Sequence, residues 1–319
     1  MVLLLGDKDV NAVMSMSTAI DVMEDTFLQA SMGQTWNRPR SRIRLPRGFH
    51  HLMAGAVLGK KAFGLKTYTS FRSGTRFLVL VYDSDTGDLQ ALIQGSRLSL
   101  LRTSAVSAIA AKYMAKQKTP KVAIIGTGFQ GRGQLEGICA IRDVKTVRAF
   151  DANPAILETF CLDMSSSLSL EVSPTDNPES CVEDADIIIT MTTSRSPVLM
   201  GDWLKPGVHI NAAGSNHWIR QEIDDSVIKR SDIIVVDSLD DAKIESGDLL
   251  YPIERGRIRW DQIHELSDIV GGKITGRHSD NSITLFESQG VAISDIAAAA
   301  HVYAEAKKMG LGSEIPMDL

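Results

Sequence analysis

A chain of 319 residues, 44% apolar and 23% charged, has the composition of an ordinary globular protein and is long enough for two domains with full cores. A net charge of −5 and an isoelectric point near 5.8 give no electrostatic footprint for nucleic acid or an anionic membrane surface, so an anionic substrate needs a local basic site. Cys139, Cys161 and Cys181 fit no zinc spacing and make a poor disulfide framework, which points to a reducing, cytoplasmic setting and no metal.

Met1–Leu5 is apolar, but Asp7, Lys8 and Asp9 follow at once. The run is too short and lacks the basic lead of a secretion signal, so it reads as a first strand. No stretch approaches the roughly 20 apolar residues of a membrane span. Residues 17–31 carry Ile20, Met23, Phe27 and Leu28 at helical spacing, with Ser17 or Thr18 near the start. From Arg38 to Gln94 the pattern is one of short strands, including Phe63–Tyr68 and Phe77–Tyr82. Asp85–Asp88 forms a hairpin turn before Leu89–Ile93. Consecutive strands without helices predict an antiparallel sheet. Residues 96–116 then read as a long Ala- and Leu-rich helix with Ser96 as its cap.

Thr119-Pro120 marks a boundary. Beyond it, Lys121–Ile125, Val147–Phe150, Ile187–Thr190, Val208–Asn211 and Ile233–Val236 are apolar runs alternating with helical stretches. That alternation predicts βαβ units and a doubly wound, Rossmann-type parallel sheet. The Ala-rich helix Ile293–Met309 returns to the first domain. The expected division is therefore 1–117 completed by 292–319, with 118–291 inserted as the dinucleotide-binding domain. This is an α/β chain whose doubly wound sheet interrupts a mixed α+β domain for substrate binding and dimerisation.

Gly126-Thr127-Gly128-Phe129-Gln130-Gly131 matches G-x-G-x-x-G, a weak signal alone. Here it follows the strand Val122–Ile125, opens the helix Gln130–Ile141, and is followed 20 residues after Gly131 by Asp151 at the end of the next strand. This is the full dinucleotide-binding context, against which a ligand-free glycine turn is a poor alternative. Gly126 allows the turn, Gly128 lets the pyrophosphate approach, and Gly131 permits close helix packing. Asp151 would accept the ribose hydroxyls and repel a 2′-phosphate, favouring NAD, with NADP possible. By the switch-point rule the nicotinamide lies beyond later strand ends. Thr192, Thr193, Ser194, Ala213 and Ser215 are its candidate neighbours, though each also fits ordinary loop chemistry.

Four segments resemble, in order, a known family. They are Leu98–Ala111 with Arg102-Thr103, Val122–Gln130, His209–Asn216, and Phe286–Asp295, which contains Gly290. Together they are similar to the ornithine cyclodeaminase/mu-crystallin family, from about residue 36 to the last helix. The resemblance implies the inserted Rossmann domain, a homodimer, and Gly290 beside the cofactor. It also implies a carboxylate clamp at Arg40, Lys66 and Arg102, in which guanidinium groups pair with both oxygens and a lysine adds a point charge. Arg42 and Arg44 alternate onto the same strand face as Arg40, so the register stays open. Lys66 in an apolar strand is costly unless paired. Arg102 has an ion pair between domains as its alternative role.

Two positions depart from the cyclodeaminases. Asn216 stands where the resemblance implies a catalytic Asp, and an amide cannot shuttle protons. It can still hydrogen-bond substrate or the cofactor carboxamide, and His217 beside it can titrate. His51 stands where the resemblance implies a Glu for a distal ammonium, so the substrate is expected to lack a distal amine. The favoured reading is an NAD(P)H-dependent reductase of an α-imino acid or cyclic ketimine carboxylate, or the reverse oxidation, with Lys66 and Asn216 at the reaction. The rivals are a cyclodeaminase with recycled NAD, whose appearance on an Asn216→Asp exchange would show why this chain lacks it, and a mu-crystallin-like ligand-binding protein.

Overall fold

A computed structural model of the chain describes residues 2–316. It divides into two compact units, one running to Ala105 and resuming at Val291, the other Val106–Gly290. The first begins with β1 (Val2–Leu5), α1 (Asp7–Val13) and α2 (Met16–Ser31). Ser15, not Ser17 or Thr18, caps α2, its hydroxyl accepting the Thr18 N–H. The expected short strands are longer: β2 (Thr35–Leu45), β3 (Gly48–Val57), β4 (Ala62–Phe71) and β5 (Gly74–Asp83), then β6 (Leu89–Gln94). The turn between β5 and β6 is held by Asp83, whose carboxylate accepts the N–H groups of Asp85 and Thr86. α3 (Ser96–Met114) follows, with Ser96 as its first helical residue. Gly95 takes the cap position instead, its carbonyl accepting the Ser99 N–H.

The second unit contains β7 (Lys121–Ile125), α4 (Phe129–Ile141), β8 (Thr146–Phe150), α5 (Pro154–Leu168), β9 (Glu171–Pro174), α6 (Pro178–Val182), β10 (Ile187–Thr190) and β11 (His209–Ala212). It continues with α7 (Asp225–Arg230), β12 (Ile233–Val236), α8 (Leu239–Glu245), α9 (Gly247–Glu254), β13 (Ile263–Glu265), α10 (Leu266–Val270) and β14 (Thr284–Glu287). Among the described residues these strands form one parallel sheet in the order β13-β12-β14-β11-β10-β7-β8-β9. β10, β11, β12 and β14 are buried along their whole length, as a sheet covered on both faces demands. One core packs around Ile125, Ile188, Ile210 and Leu285, the other around Ile124, Leu135, Val147 and Phe160. β14 was not foreseen, yet it stands between β11 and β12.

The chain then returns to the first unit as α11 (Ala292–Met309) and β15 (Ser313–Ile315). The first unit's sheet runs β15-β1-β6-β5-β4-β3-β2. β2 to β6 are antiparallel as expected, but β1 joins β6 in parallel, so the sheet is mixed. α11, rich in buried alanine, packs on β3 and β4.

Candidate functional site

The first unit gathers buried cations on one sheet face. Met53, Lys66, Val79 and Ile93 stand opposite one another across β3 to β6, and directly paired residues share a face. A bulge between Arg38 and Ser41 brings Arg40 to the same row, where its Nε donates to Met53 Sδ at 3.4 Å. Arg40 is buried, Arg42 half-buried and Arg44 exposed, so only the first lies fully inside. His51, Tyr68 and Phe77 make the neighbouring row. The His51 ring stacks on Tyr68 at 4.1 Å, and its Nε2 meets Ser70 Oγ at 2.8 Å.

Lys66, 2% exposed, places Nζ 3.0 Å from Asp295 Oδ1 on α11. Arg102 donates its Nε to the same oxygen at 2.9 Å. Arg102 therefore pairs inside its own unit, and the alternative of an ion pair between domains is not what the structure shows. Burial pushes the Lys66 ammonium down to about 7, with the Arg102 charge adding to burial, Asp295 opposing it and Arg40 adding less. Lys66 and Arg102 thus share one carboxylate in a buried site, with Arg40 close enough to act on Lys66. Planar guanidinium groups in such a site suit a carboxylate.

The second unit carries the glycine loop between β7 and α4. Gly126 has φ +98, and a Cβ there would lie 2.4 Å from the Met191 carbonyl oxygen. A Cβ on Gly131 would lie 2.4 Å from the Gly126 oxygen, whereas one on Gly128 would meet nothing within 4 Å. Gly128 is the N-cap of α4 and has no side chain to cap it, which leaves the first amides of the helix for an anion. Gln130 Oε1 is buried there without a hydrogen-bond partner, while Phe129 is 55% exposed. Asp151 braces the loop: its Oδ2 accepts the Thr127 N–H and hydroxyl at 2.8 and 3.1 Å, and its Oδ1 the Asn153 N–H at 2.9 Å. It remains half-exposed at the end of β8. An open cradle, free helix amides and a carboxylate after the second strand fit a dinucleotide.

Sequence reasoning missed what organises the strand ends. Glu222, fully buried, accepts the Thr192 N–H at 2.5 Å, the Gly214 N–H at 2.7 Å and the Thr190 hydroxyl at 3.0 Å. It thereby ties the segment after β10 to the segment after β11. Asp248 in turn accepts the Glu222 and Ile223 N–H groups at 2.7 and 3.0 Å. Burial raises the Glu222 carboxyl; burial and the Glu222 charge raise Asp248 to about 7; burial raises Glu287 well above the carboxylate range. Glu222 lies in the polar run Arg220–Asp225, which reads as solvated surface. Asp295 stood in the sequence only as the last residue of the family-like segment Phe286–Asp295, with no role assigned to it.

The remaining candidates are engaged within the chain. The Ala213 N–H donates to the Thr190 oxygen at 3.0 Å, and the buried Ser215 hydroxyl to the Arg220 oxygen at 3.0 Å. Ser194 Oγ donates to the Ser196 oxygen at 2.6 Å, and Thr193 is exposed. Asn216 Oδ1 accepts Arg220 Nη1 at 2.9 Å, His217 Nδ1 accepts the Ile219 N–H at 3.3 Å, and the Gly290 N–H donates to Asp237 Oδ2 at 2.6 Å. The cysteines are unbridged, with burial pushing Cys139 up to about 12 and Cys181 up to about 11. Among the described residues no group of His, Cys, Asp and Glu could hold a metal ion, and no helix is long and apolar enough to cross a membrane.

Known proteins resemble this chain in sequence and fold. Delta(1)-pyrroline-2-carboxylate reductase of Thermococcus litoralis, solved in complex with NADH and L-proline, superposes with a TM-score of 0.95 at 32% identity over 98% of this chain and 100% of that one. An archaeal alanine dehydrogenase dimer with bound NAD superposes with a TM-score of 0.93 at 28% identity, covering 99% of each chain. In sequence, Delta(1)-pyrroline-2-carboxylate reductase of Bacillus cereus is 34% identical over 272 residues, 83% of each chain. The model of the ornithine cyclodeaminase/mu-crystallin family matches residues 2–310. With the motifs, the inserted parallel sheet and the cationic cluster all in place, the chain belongs to the ornithine cyclodeaminase/mu-crystallin family.

Proposed function

We propose that this protein is an NAD(H)-dependent reductase of an α-imino acid, including cyclic ketimine carboxylates, or runs the same reaction in reverse on an amino acid. The observation that carries the reading is the buried cluster of Arg40, Lys66 and Arg102, in which Lys66 and Arg102 converge on one oxygen of Asp295. The reductases and the dehydrogenase it resembles act on compounds of this class.

When bound, the dinucleotide supplies the hydride carrier; the glycine loop, the α4 amides and Asp151 would hold it. The Asp151 carboxylate disfavours a 2′-phosphate, supporting NAD over NADP. Lys66 and Arg102 fix the substrate carboxylate and so limit the rotation of the adjacent Cα, a positioning effect. Tyr68 and Phe77 border Lys66, with ring centroids 5.5 and 4.8 Å from Nζ, and offer an apolar wall to a small side chain. An iminium substrate arrives already protonated, so no acid is required at residue 216, where an amide stands. A second copy of the chain is the expected partner, supported by the dimeric relative. The outer sheet face of the first unit suits it, with Trp36, Ile43 and Phe63 exposed. Unbridged thiols support a reducing, cytoplasmic location.

NADH consumption with Δ1-pyrroline-2-carboxylate, Δ1-piperideine-2-carboxylate and pyruvate plus ammonia tests the proposal. Turnover of at least one is expected, with Lys66→Ala and Arg102→Ala each losing about a hundredfold or more in kcat/KM while retaining dinucleotide binding. Ammonia release from ornithine without net NADH change, or ligand binding without any turnover, would replace the reading with a cyclodeaminase or a binding protein.

A further inference from the structure

We propose that Asp295 is the positioning residue of the anion clamp: through one oxygen it holds the Lys66 and Arg102 donors at a set spacing and keeps Lys66 charged for an incoming carboxylate. The inference rests on reading the first unit as a carboxylate site.

Oδ1 of Asp295 accepts both Lys66 Nζ at 3.0 Å and Arg102 Nε at 2.9 Å, and the residue is 0% exposed. Its second oxygen is buried and accepts no hydrogen bond. One atom therefore fixes the geometry of two cations that reach it from β4 and α3. Asp295 lies in the first turn of α11, where no side chain caps the helix. Three positive groups packed without this carboxylate would repel one another, and lysine alone among them can shed its charge, because arginine stays protonated.

The charged and titratable groups around Lys66 come from every packed element: Arg40 from β2, His51 from β3, Tyr68 from β4, Arg102 from α3 and Asp295 from α11, with the Phe77 ring of β5 closing the wall. Asp295 is the carboxylate that acts on Lys66. Its removal should move the Lys66 deprotonation midpoint from about 7 downward, by about one unit or more for loss of an opposite charge in direct contact.

Binding of pyrrole-2-carboxylate to the NADH-loaded protein, followed from about pH 5.5 to 9, measures this without a titrating imine, because its carboxylate stays ionised throughout. In the wild type, affinity should decline above the Lys66 midpoint. In Asp295→Asn the decline should begin about one unit lower, leaving binding about tenfold weaker at pH 8 yet within about twofold of wild type at pH 5.5. Lys66→Arg should abolish the alkaline decline in both backgrounds, which separates Lys66 from His51. An Asp295→Asn midpoint equal to wild type, or weak binding at every pH, overturns the proposal. If the asparagine variant does not fold, Asp295→Glu decides. It keeps the charge and alters the reach, so the midpoint should stay and affinity should drop; a lowered midpoint would count against the idea. Failure of Lys66→Ala to weaken binding would instead remove the carboxylate site itself.

Discussion

The three glycines of the β7–α4 loop have separable roles, and alanine at each should show it. At Gly126 the backbone sits at φ +98 and a Cβ would press on the Met191 carbonyl at 2.4 Å. The conformation costs an L-residue about 1–3 kcal/mol, and forced displacement of neighbouring backbone about 1–3 more. At about 2–4 °C per kcal/mol for a unit of this size, Gly126→Ala should lower the apo melting temperature by roughly 4–24 °C. Gly131→Ala meets the Gly126 oxygen at 2.4 Å and pays only the second term, so it should fall by less. Gly128 is different: its φ is −71 and a Cβ would find open space. Gly128→Ala should melt within about 2 °C of wild type, or slightly above it through reduced entropy of the unfolded chain. It should nonetheless weaken NADH by about ten- to a hundredfold, equivalent to losing one charge-assisted backbone hydrogen bond to phosphate. Differential scanning fluorimetry without cofactor and a nucleotide fluorescence titration supply both numbers. Wild-type NADH affinity in Gly128→Ala would refute the placement of the pyrophosphate, and an unshifted Gly126→Ala melting point would refute the loop geometry.

Two further outcomes follow from the acids and amides of the second unit. Asp248, raised to about 7 when folded against about 3.9 when unfolded, binds its proton more tightly in the native state. Its stabilising contribution is therefore full below about pH 4 and is lost as pH rises to about 7. Asp248→Asn can keep accepting the two N–H groups at 2.7 and 3.0 Å, so its melting temperature relative to wild type should climb between about pH 4 and 8; a difference constant with pH would exclude the raised carboxyl. Asn216→Asp would place a carboxylate against Arg220, whose Nη1 is 2.9 Å from the Asn216 oxygen, and the guanidinium would hold it ionised and a poor acid. The exchange should therefore release no ammonia from ornithine by itself, as a coupled ammonia assay can check.

What could be read beforehand was whatever a local pattern encodes. Runs such as Ile187–Thr190 and Ile233–Val236 are apolar at every position because both sheet faces are covered, and they announced the parallel sheet. Lys66 stood out because a charge interrupts an apolar strand. Spatial order was not encoded in this way: β14 enters the sheet between β11 and β12 after a long intervening segment, and its sequence carries no address. The register of Arg40 depended on a bulge that adds one residue to β2 opposite β3, with no glycine to signal it. The α2 cap is Ser15 rather than Ser17 or Thr18 because several nearby hydroxyl residues suit the role. Glu222 stayed hidden because an acid among polar neighbours looks solvated until loops from two other strands close over it.

The two units treat buried charge in opposite ways, and that difference separates scaffold from binding site. In the second unit the interior acids are answered by the fold. Glu222 takes two backbone N–H groups and a hydroxyl, and Asp237 takes the Gly290 and Gln289 N–H groups and the Ser288 hydroxyl. Glu287 accepts the Ser246 hydroxyl at 2.9 Å and the Gln289 amide, and burial raises its carboxyl well above the usual carboxylate range. Each of these acids is met by donors of its own unit. In the first unit Lys66 and Arg102 converge on one oxygen of Asp295, and arginine has no neutral form to retreat to. Under the proposed reading a substrate carboxylate joins that pair, whereas the acids of the second unit are already met by their own backbone.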